Sequence, residues 1–387
     1  MNLRLWILVG IVAISGFSQG MILPLIAIIF EQDGVSSSIN GLHATSIYIG
    51  ILLISPFLEK PLKRFGYKPI IVLGGLIVLL SLFLFPFWKS LWFWFILRLL
   101  IGIGDNMLHF GTQTWITSFS TVKNRGRNIA LYGLFFSLGF AIGPMMTRLL
   151  SINESLPFII SAGLSFTAWV TIFLLKNEIP DHDSTEATSF FSTFQRFSQV
   201  WKYAWVAFLP PFGYGFLEAT LNGNFPVYAL RIGVDINAVS IILPAFAIGT
   251  IVFQMPLGLM SDRYGRKKIL RFVMISGFLT FLAAAILEGS EAALFSCFFI
   301  AGMLVGSTFS LGISYMADLL PKHLLPAGNI MCSIFFSFGS ITGPFIGGLM
   351  IEYIEGISFF YLIAFMLLTV FIALFFFQPQ QQQSAYK

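Results

Sequence analysis

Long apolar runs, separated by short polar connections, constrain this chain more than any other feature of its sequence. The first run, residues 5–30, contains no charged side chain. About 20 apolar residues are enough for a helix to cross the hydrocarbon core of a bilayer. Hydrophobic residues make up 57% of the 387 residues and charged residues only 10%, against about 25% charged in an ordinary soluble domain. A single core cannot bury so many apolar side chains, so the runs must face lipid and a water-soluble fold is excluded.

Twelve such runs predict an all-α membrane protein with twelve transmembrane helices in two six-helix bundles. The first six are predicted near residues 5–30, 38–58, 68–88, 91–116, 127–150 and 156–175. The second six are predicted near residues 203–231, 237–260, 268–288, 291–317, 325–351 and 357–378. The chain is thereby divided into an N-terminal bundle (1–175), a linker (176–202) and a C-terminal bundle with a short tail (203–387).

The linker has a different composition from the spans. It contains Asp181, Asp183 and Glu186 together with several Ser and Thr residues. This composition predicts a solvated segment, and the aromatic residues near 190–197 indicate an amphipathic helix at the membrane surface.

Basic residues are concentrated on one side of this topology. If the N-terminus lies inside, the loops on that side carry 18 of the 22 Lys and Arg residues. The positive-inside rule then places both termini and the linker in the cytoplasm of a cell-membrane protein. Nucleic-acid binding is disfavoured, because it needs basic residues on one soluble face. The residues on the basic side are Arg4, Lys60, Lys63, Arg64, Lys68, Lys123, Arg125, Arg127, Lys176, Arg196, Lys202, Arg263, Arg266, Lys267, Lys268, Arg271, Lys322 and Lys387.

The two halves of the chain contain the same short patterns at a nearly fixed offset. Arg64-Phe65-Gly66-Tyr67-Lys68 returns 199 residues later as Arg263-Tyr264-Gly265-Arg266-Lys267. Ser137-Leu138-Gly139 through Gly143-Pro144 returns 200 residues later as Ser337-Phe338-Gly339 through Gly343-Pro344. A parallel repeat of this kind predicts two bundles related by an axis along the membrane normal. Transporters built in this way bind cargo at the interface of the repeats, near the middle of the membrane.

The loop between the eighth and ninth spans carries a family resemblance. Its sequence is Gly258-Leu259-Met260-Ser261-Asp262-Arg263-Tyr264-Gly265-Arg266-Lys267-Lys268, and it resembles the signature loop of the major facilitator superfamily. The resemblance implies that Gly258, Asp262, Arg263, Gly265 and Arg266 take part in gating. In the first-half copy Arg64 and Gly66 remain, but Glu59 replaces the first glycine and Lys63 replaces the aspartate. We therefore expect the second-half loop to contribute more to gating.

A second motif resembles the one found in proton-driven exporters of that superfamily. It reads Gly139-Phe140-Ala141-Ile142-Gly143-Pro144, although Thr147 and Arg148 stand where the exporter pattern continues with two glycines. A fuller copy is Gly343-Pro344-Phe345-Ile346-Gly347-Gly348. The alternative is that these small residues serve only close helix packing. With the run Arg98-x-x-x-Gly102-x-Gly104, the chain is most similar to the bacterial twelve-span drug and metabolite antiporters.

The fourth predicted helix carries ionisable residues where lipid should disfavour them. At about 100° per residue, Gly102, Asp105, His109 and Thr112 fall within about 40° of Arg98 on one face. A charge at mid-bilayer costs about 2.5–3.5 kcal/mol and therefore needs a partner or a function. One interpretation is a static Arg98–Asp105 pair. The other is that Asp105 and His109 exchange protons while Arg98 and Asp105 bind cargo.

The seventh predicted helix presents a second polar face. Tyr214, Glu218 and Asn222 are spaced four residues apart and therefore lie on the same side of the helix. We expect Glu218 to exchange protons and to bind cargo together with Tyr214 and Asn222, the alternative being a structural carboxyl. Two further amides, Gln19 on the first helix and Gln113 on the fourth, are expected to help orient the cargo.

The sequence lacks the motifs of other function classes. It contains no nucleotide fingerprint, phosphate loop, nucleophile elbow or metal-ligand spacing, so neither an enzyme nor a cofactor or metal site is expected. The two cysteines, Cys297 and Cys332, lie in apolar segments, which argues against a disulfide or zinc site.

The function predicted is a secondary transporter, a proton-coupled exporter of small amphipathic molecules that works by alternating access. Its partners would be the small-molecule cargo, protons and the lipid bilayer, and we expect a monomer. The alternatives are a nutrient importer or facilitator and, less favoured, a receptor or channel that does not transport.

Overall fold

The computed structural model describes residues 3–180, 190–321, 324–354 and 356–377. The side chains of residues 122, 123, 125, 126, 190–196 and 326 are outside that description. Several predictions therefore concern positions outside the described residues. These positions are the acidic linker residues Asp181, Asp183 and Glu186, the basic residues Lys322 and Lys387, and the side chains of Lys123, Arg125 and Arg196.

Within the described residues, ten helices are long and apolar enough to cross a membrane, as the sequence predicted for each of those positions. Spans 1 to 6 are Leu3–Gln32, Ser37–Phe57, Tyr67–Phe87, Leu91–Phe119, Arg127–Ser151 and Leu156–Leu174. Spans 8 to 11 are Ile236–Tyr264, Arg266–Ile286, Glu291–Leu319 and Ala327–Tyr353. Span 12 is the shorter apolar helix Phe360–Phe376. Two shorter helices, Glu59–Phe65 and Phe190–Ala204, lie between spans.

Span 7 is interrupted, whereas the sequence predicted one helix over residues 203–231. The structure has a helix Leu209–Gly223, a break at Asn224 and a second helix Phe225–Arg231. Pro226 explains the break, because proline has no N–H to bond to the carbonyl four residues earlier. The Asn224 side chain donates to the Pro344 carbonyl of span 11 at 3.1 Å, which fixes the break against a neighbour.

The alternation of spans gives the molecule two ends. The linker end carries Leu3, the segment after span 6 and Phe377, and the distal end carries the connections after spans 1, 3 and 5. Each half has its own apolar core: one large cluster is built from spans 7 to 12, and two smaller clusters come mainly from spans 1 to 6. Cys297 and Cys332 are buried and form no disulfide.

The glycines of the exporter-like motif pack helices within each half. A Cβ added at Gly139 of span 5 would overlap the Ala13 carbonyl of span 1, and one at Gly143 would overlap the backbone of Gly20 and Met21. The second half repeats the contact, since a Cβ at Gly339 would overlap the Phe212 carbonyl. The motif thus lets spans 1 and 5, and spans 7 and 11, approach closely.

The two prolines of the repeated motif have different effects on the backbone. Beyond Ile142, span 5 changes from an α-helix to a 3₁₀-helix that covers Gly143–Ser151 and includes Pro144. Its counterpart Pro344 lies inside the continuous helix Leu325–Tyr353.

The two signature loops contain the same backbone turn. Gly66 has φ of 87° and Gly265 has φ of 94°, in a region that side chains other than glycine rarely adopt. Their surroundings differ: a Cβ at Gly66 would overlap the Glu178 carbonyl and the Asn177 side chain, whereas a Cβ at Gly265 would meet no atom within 4 Å.

We expect Gly66→Ala to destabilise the protein more than Gly265→Ala. Both substitutions force alanine into strained backbone, which costs of order 1–3 kcal/mol, and only Gly66→Ala adds an overlap with the linker. Thermal unfolding of the two variants in the same detergent measures the difference. Equal losses would show that the contact between Gly66 and residues 177–178 is not maintained in the membrane protein.

Candidate transport site

A cavity lies between the two halves at the polar face of span 7. It has a volume of about 60 Å³, which is room for several water molecules. Spans 5, 7 and 8 form its walls, and the polar residues that line it include Tyr214, Glu218 and Asn222. The structure therefore places these three predicted residues together, at the interface of the repeats.

Glu218 is half-buried in this cavity, and its carboxylate has no hydrogen-bond or ion-pair partner among the described residues. The neighbouring Asn222 side chain donates to the backbone carbonyl of Glu218 at 2.8 Å, so it does not occupy the carboxylate. The Tyr214 ring stacks on Phe336 of span 11, with centroids 6.1 Å apart. Glu218 is thus a carboxylate near the middle of its span that faces a small void.

Arg98 is fully buried on the distal side of span 4. Its Nη1 donates to His43 Nδ1 of span 2 at 3.0 Å, and His43 Nε2 lies 3.0 Å from the Leu91 carbonyl. Because arginine only donates, His43 must accept at Nδ1 and donate from Nε2. The Nε and Nη2 atoms of Arg98 have no partner among the described residues.

Asp105 is not paired with Arg98, so the static pair considered from the sequence is wrong. Asp105 is 1% exposed, and its Oδ1 accepts a hydrogen bond from Ser15 of span 1 at 2.7 Å. Helical spacing correctly predicted that Arg98 and Asp105 lie on one face of span 4. The partner of Asp105 comes from span 1, however, and the partner of Arg98 comes from span 2. Asp105 also does not line the cavity that contains Glu218.

His109 extends the Asp105 cluster toward the linker end. Its Nε2 is 3.2 Å from Ser15 Oγ and 3.1 Å from Gln19 Nε2, and its Nδ1 is hydrogen-bonded to the Tyr132 hydroxyl of span 5. Asp105, His109 and Gln19 therefore meet inside the first half, as a group separate from Glu218. Sequence reasoning missed Ser15 and Tyr132; the spacing of Ser15 four residues before Gln19 is the signal that indicates the first of them.

The remaining predicted residues of span 4 do not join this cluster. The Thr112 hydroxyl donates to the Leu108 carbonyl of its own helix at 2.7 Å. Gln113 is exposed, and its side chain forms no hydrogen bond with the described residues. No group of three His, Cys, Asp or Glu residues in the described part of the chain is arranged to hold a metal ion.

The two halves are joined at the distal end. Arg231, at the end of span 7, pairs with Glu31 of span 1 at 2.7 Å and donates to the Ile351 carbonyl at 3.2 Å. The Ser38 N–H of span 2 donates to Glu352 of span 11 at 2.8 Å. Within the described residues, every side-chain hydrogen bond between the first six and the last six spans lies at this end, including one from Arg148 to Ser240 at 2.7 Å.

Backbone packing seals the same end. A Cβ at Gly41 of span 2 would overlap the Pro344 carbonyl of span 11, and one at Gly348 would overlap the Ser37 carbonyl. These glycines let spans 2 and 11 touch, so the Glu218 cavity lies on the linker side of a closed distal contact.

The signature loop of the second half is held within its own half. Arg266 donates to Asp318 at 2.6 Å and to the Ser314 carbonyl at 2.7 Å, and it pairs with Asp262 at 3.3 Å. Arg263 stacks its guanidinium over Tyr264 at 5.5 Å. Both acidic partners of Arg266 are on neighbouring helices of the same bundle.

The corresponding loop of the first half, which contains Gly66, has different contacts. Tyr67 stacks on Trp115 with centroids 5.6 Å apart, and the Trp115 indole N–H donates to Glu178 of the linker at 2.8 Å. Arg4 of span 1 pairs with the same carboxylate. The start of the linker, rather than a loop aspartate, thus supplies the acidic group in the first half.

Comparison with known proteins establishes the family. Residues 8–239 and 208–386 match the Major Facilitator Superfamily. The chain belongs to this superfamily. It is 56% identical over 380 residues to the MFS-type transporter YfkF of Bacillus subtilis strain 168, covering 98% of this chain and 97% of that protein. It is 26% identical over 367 residues to multidrug resistance protein 1 of the same organism, covering 91% and 90% respectively.

Solved structures of the same fold agree with the helical architecture. The nucleoside transporter NupG has a TM-score of 0.77 at 17% identity, covering 98% of this chain and all (100%) of that one. A bacterial homologue of the lysosomal transporter Spinster, solved in an inward-facing and unoccupied conformation, has a TM-score of 0.71 at 15% identity, covering 96% and 94%. These structures show the shared fold, and the family match together with the relative YfkF shows that the chain is a multi-pass membrane transporter.

We expect Arg231→Gln to open the distal end more often. The exposed Arg231–Glu31 pair contributes up to about 1 kcal/mol to closure, so its loss should raise the open population up to about fivefold. The measurement is the rate at which a maleimide labels a cysteine at Ala44, a buried position in the closed contact, in a variant without Cys297 and Cys332.

Lys89→Gln is the matched control for this experiment. Lys89 also lies at the distal end, but it pairs with Asp33 and Glu154, both in the first half. Burial alone would lower the pKa of Lys89, yet its hydrogen bonds to these carboxylates raise it. An increase in Ala44→Cys labelling with Lys89→Gln, or none with Arg231→Gln, would contradict a closing role for the pair between the halves.

Proposed function

We propose that this transporter is a proton-coupled exporter of small amphipathic molecules, working by alternating access across the cell membrane. The observation that supports this most is Glu218, a carboxylate without a partner among the described residues in a cavity between the two halves. In a membrane, an ionised carboxylate at this depth costs about 2.5–3.5 kcal/mol. Glu218 must therefore hold a proton, contact water or pair with a cation at each stage of transport.

The predicted orientation of the protein in the membrane supports release of cargo to the outside of the cell. The excess of Lys and Arg in the loops predicted on the side of the N-terminus supports a cytoplasmic location for the linker end by the positive-inside rule. The closed distal contact then faces outward, and cargo reaches the Glu218 cavity from the cytoplasmic side. An export cycle begins with the distal end closed and the transport site accessible from the cytoplasm.

Competition at Glu218 supplies the coupling. When the cavity faces the cytoplasm, a cationic group of the cargo displaces the proton from Glu218 and pairs with the carboxylate. When the distal contact opens, a proton from outside neutralises Glu218 and the cargo leaves. Return of the empty protein carries the proton inward, so one cargo cation exchanges for a proton.

The polar residues on either side of Glu218 have distinct roles in this proposal. Tyr214 and Asn222 line the same cavity and orient the cargo through their polar groups and the ring of Tyr214. Asp105 and His109 share Ser15 as a hydrogen-bond partner, so a second proton transfer within the first half passes between them. Arg98 supplies a fixed positive charge close to the distal contact.

The relatives support export. Multidrug resistance protein 1 of Bacillus subtilis aligns over 91% of this chain. The Phe136 and Phe140 side chains in the wall of the cavity provide the apolar surface that an amphipathic cargo needs.

The test is transport in proteoliposomes with an imposed pH gradient. A panel of lipophilic cations serves as cargo, and proton flux is recorded with a pH-sensitive dye in the same vesicles. We expect gradient-dependent cargo movement for the wild type and loss of at least about tenfold for Glu218→Gln, because the amide cannot exchange a proton. Asp105→Asn should reduce the coupling of cargo movement to the proton gradient. Glu154 is an exposed carboxylate at the distal end, so Glu154→Gln should leave this coupling unchanged.

Two results would contradict the proposal. Cargo movement that is independent of the pH gradient in the wild type would exclude proton coupling. Normal coupled transport by Glu218→Gln would exclude Glu218 as the coupling carboxylate.

A further inference from the structure

A second cavity lies at the linker end of the last half, away from the transport site. It has a volume of about 420 Å³ and lies between the end of the helix Phe190–Ala204 and the end of span 12. Its walls are Lys202, Tyr203, Trp205, Ile372, Ala373, Phe376 and Phe377. The cavity thus combines one cation with aromatic and aliphatic side chains at the edge of the apolar spans.

Two further cations surround the end of span 12. Lys267 Nζ donates to the Phe377 carbonyl and lies 5.9 Å from the centre of the Phe377 ring. Arg271, one helical turn further along span 9, lies 5.7 Å from the centre of the Phe375 ring. Lys267 and Arg271 are like charges four residues apart, an arrangement that destabilises a helix unless an anion lies between them.

Acidic side chains in the described residues do not neutralise this group. None of the three cations forms an ion pair there, whereas the adjacent Arg266 engages both Asp262 and Asp318. An anion that neutralises these cations must therefore come from outside the described residues.

The apolar walls of the cavity indicate which kind of molecule bears the anionic group. Trp205 packs edge-on against Phe377 with centroids 5.8 Å apart, and Phe376 is 75% exposed. Tryptophan and tyrosine beside lysine at the end of a span are typical of the level of lipid head groups. A ligand that fits both parts has a phosphate next to acyl chains.

We propose that this cavity binds the phosphate-bearing head group of an anionic phospholipid, with Lys202 and Lys267 contacting the phosphate and the rings of Trp205 and Phe376 contacting the acyl chains. The site belongs to the second half only, since its walls come from the helix Phe190–Ala204, the turn after it and span 12. Bound lipid would attach that helix to the bundle.

Native mass spectrometry of the detergent-purified full chain tests the proposal. The probes are phosphatidylglycerol, phosphatidylcholine and inorganic phosphate, each added at increasing concentration. We expect saturable binding of phosphatidylglycerol, weaker binding of phosphatidylcholine and none of inorganic phosphate. Each basic side chain contributes roughly fivefold to anionic-lipid binding, so Lys202→Gln/Lys267→Gln should weaken phosphatidylglycerol binding roughly thirtyfold.

Two controls separate this site from general attraction by positive charge. Lys60→Gln/Lys176→Gln removes the same charge from exposed positions at the linker end and should bind phosphatidylglycerol as the wild type does. Lys202→Arg/Lys267→Arg keeps the charges and should also retain binding. Equal losses in the two Gln variants, or binding unchanged in Lys202→Gln/Lys267→Gln, would overturn the proposal. Residue-dependent binding of inorganic phosphate without lipid selectivity would overturn the assignment to lipid.

Discussion

Lipid offers no hydrogen bonds, so polar side chains within the spans need partners inside the protein. Arg98 is bonded to His43, and Asp105 and His109 are bonded to Ser15, all inside the first half. Glu218 differs, because it has no such partner among the described residues and faces a cavity between the halves. Arg98 and Asp105 thus each have a hydrogen-bond partner within the first half, whereas the Glu218 carboxylate has none among the described residues.

The two halves share a backbone plan but use it differently. Gly66 and Gly265 make the same turn in corresponding loops. After that turn, the first half stacks Tyr67 on Trp115 and recruits Glu178 from the linker, whereas the second half engages Arg266 with Asp262 and Asp318. The start of the linker therefore contacts the first half through Asn177 and Glu178, both of which are exposed. The acidic residues Asp181, Asp183 and Glu186, on which the prediction of a solvated segment rests, lie outside the described residues.

Sequence patterns were sufficient to predict the spans, because the lipid requirement leaves few alternatives to a helix of about 20 apolar residues. They also predicted that Tyr214, Glu218 and Asn222 share a face, since helical spacing fixes that directly. They did not predict the break at Asn224, where Pro226 interrupts an otherwise apolar run.

The partners of Arg98 and Asp105 were beyond sequence reasoning for a physical reason. A helical face tells which residues of span 4 point the same way but not which neighbouring helix faces them. The partners, His43 and Ser15, come from spans 2 and 1. His43 is a single polar residue in its run, and the spacing of Ser15 and Gln19 indicates a polar face of span 1 but not that it meets Asp105.

Alternating access requires the two halves to move relative to each other about the Glu218 cavity, exchanging the closed distal contact for a closed linker end. Paired spin labels measure this directly by electron–electron resonance: one pair at the exposed distal positions Asn153 and Gly289, and one at Lys60 and Lys268 of the linker end. We predict that binding of a lipophilic cationic cargo lengthens the distal distance and shortens the linker-end distance, and that protonation at low pH reverses both changes, while a pair at Asp33 and Asn153 within the first half stays constant. Distances between the halves that do not change with pH or cargo, or that change in the same direction at both ends, would contradict the account.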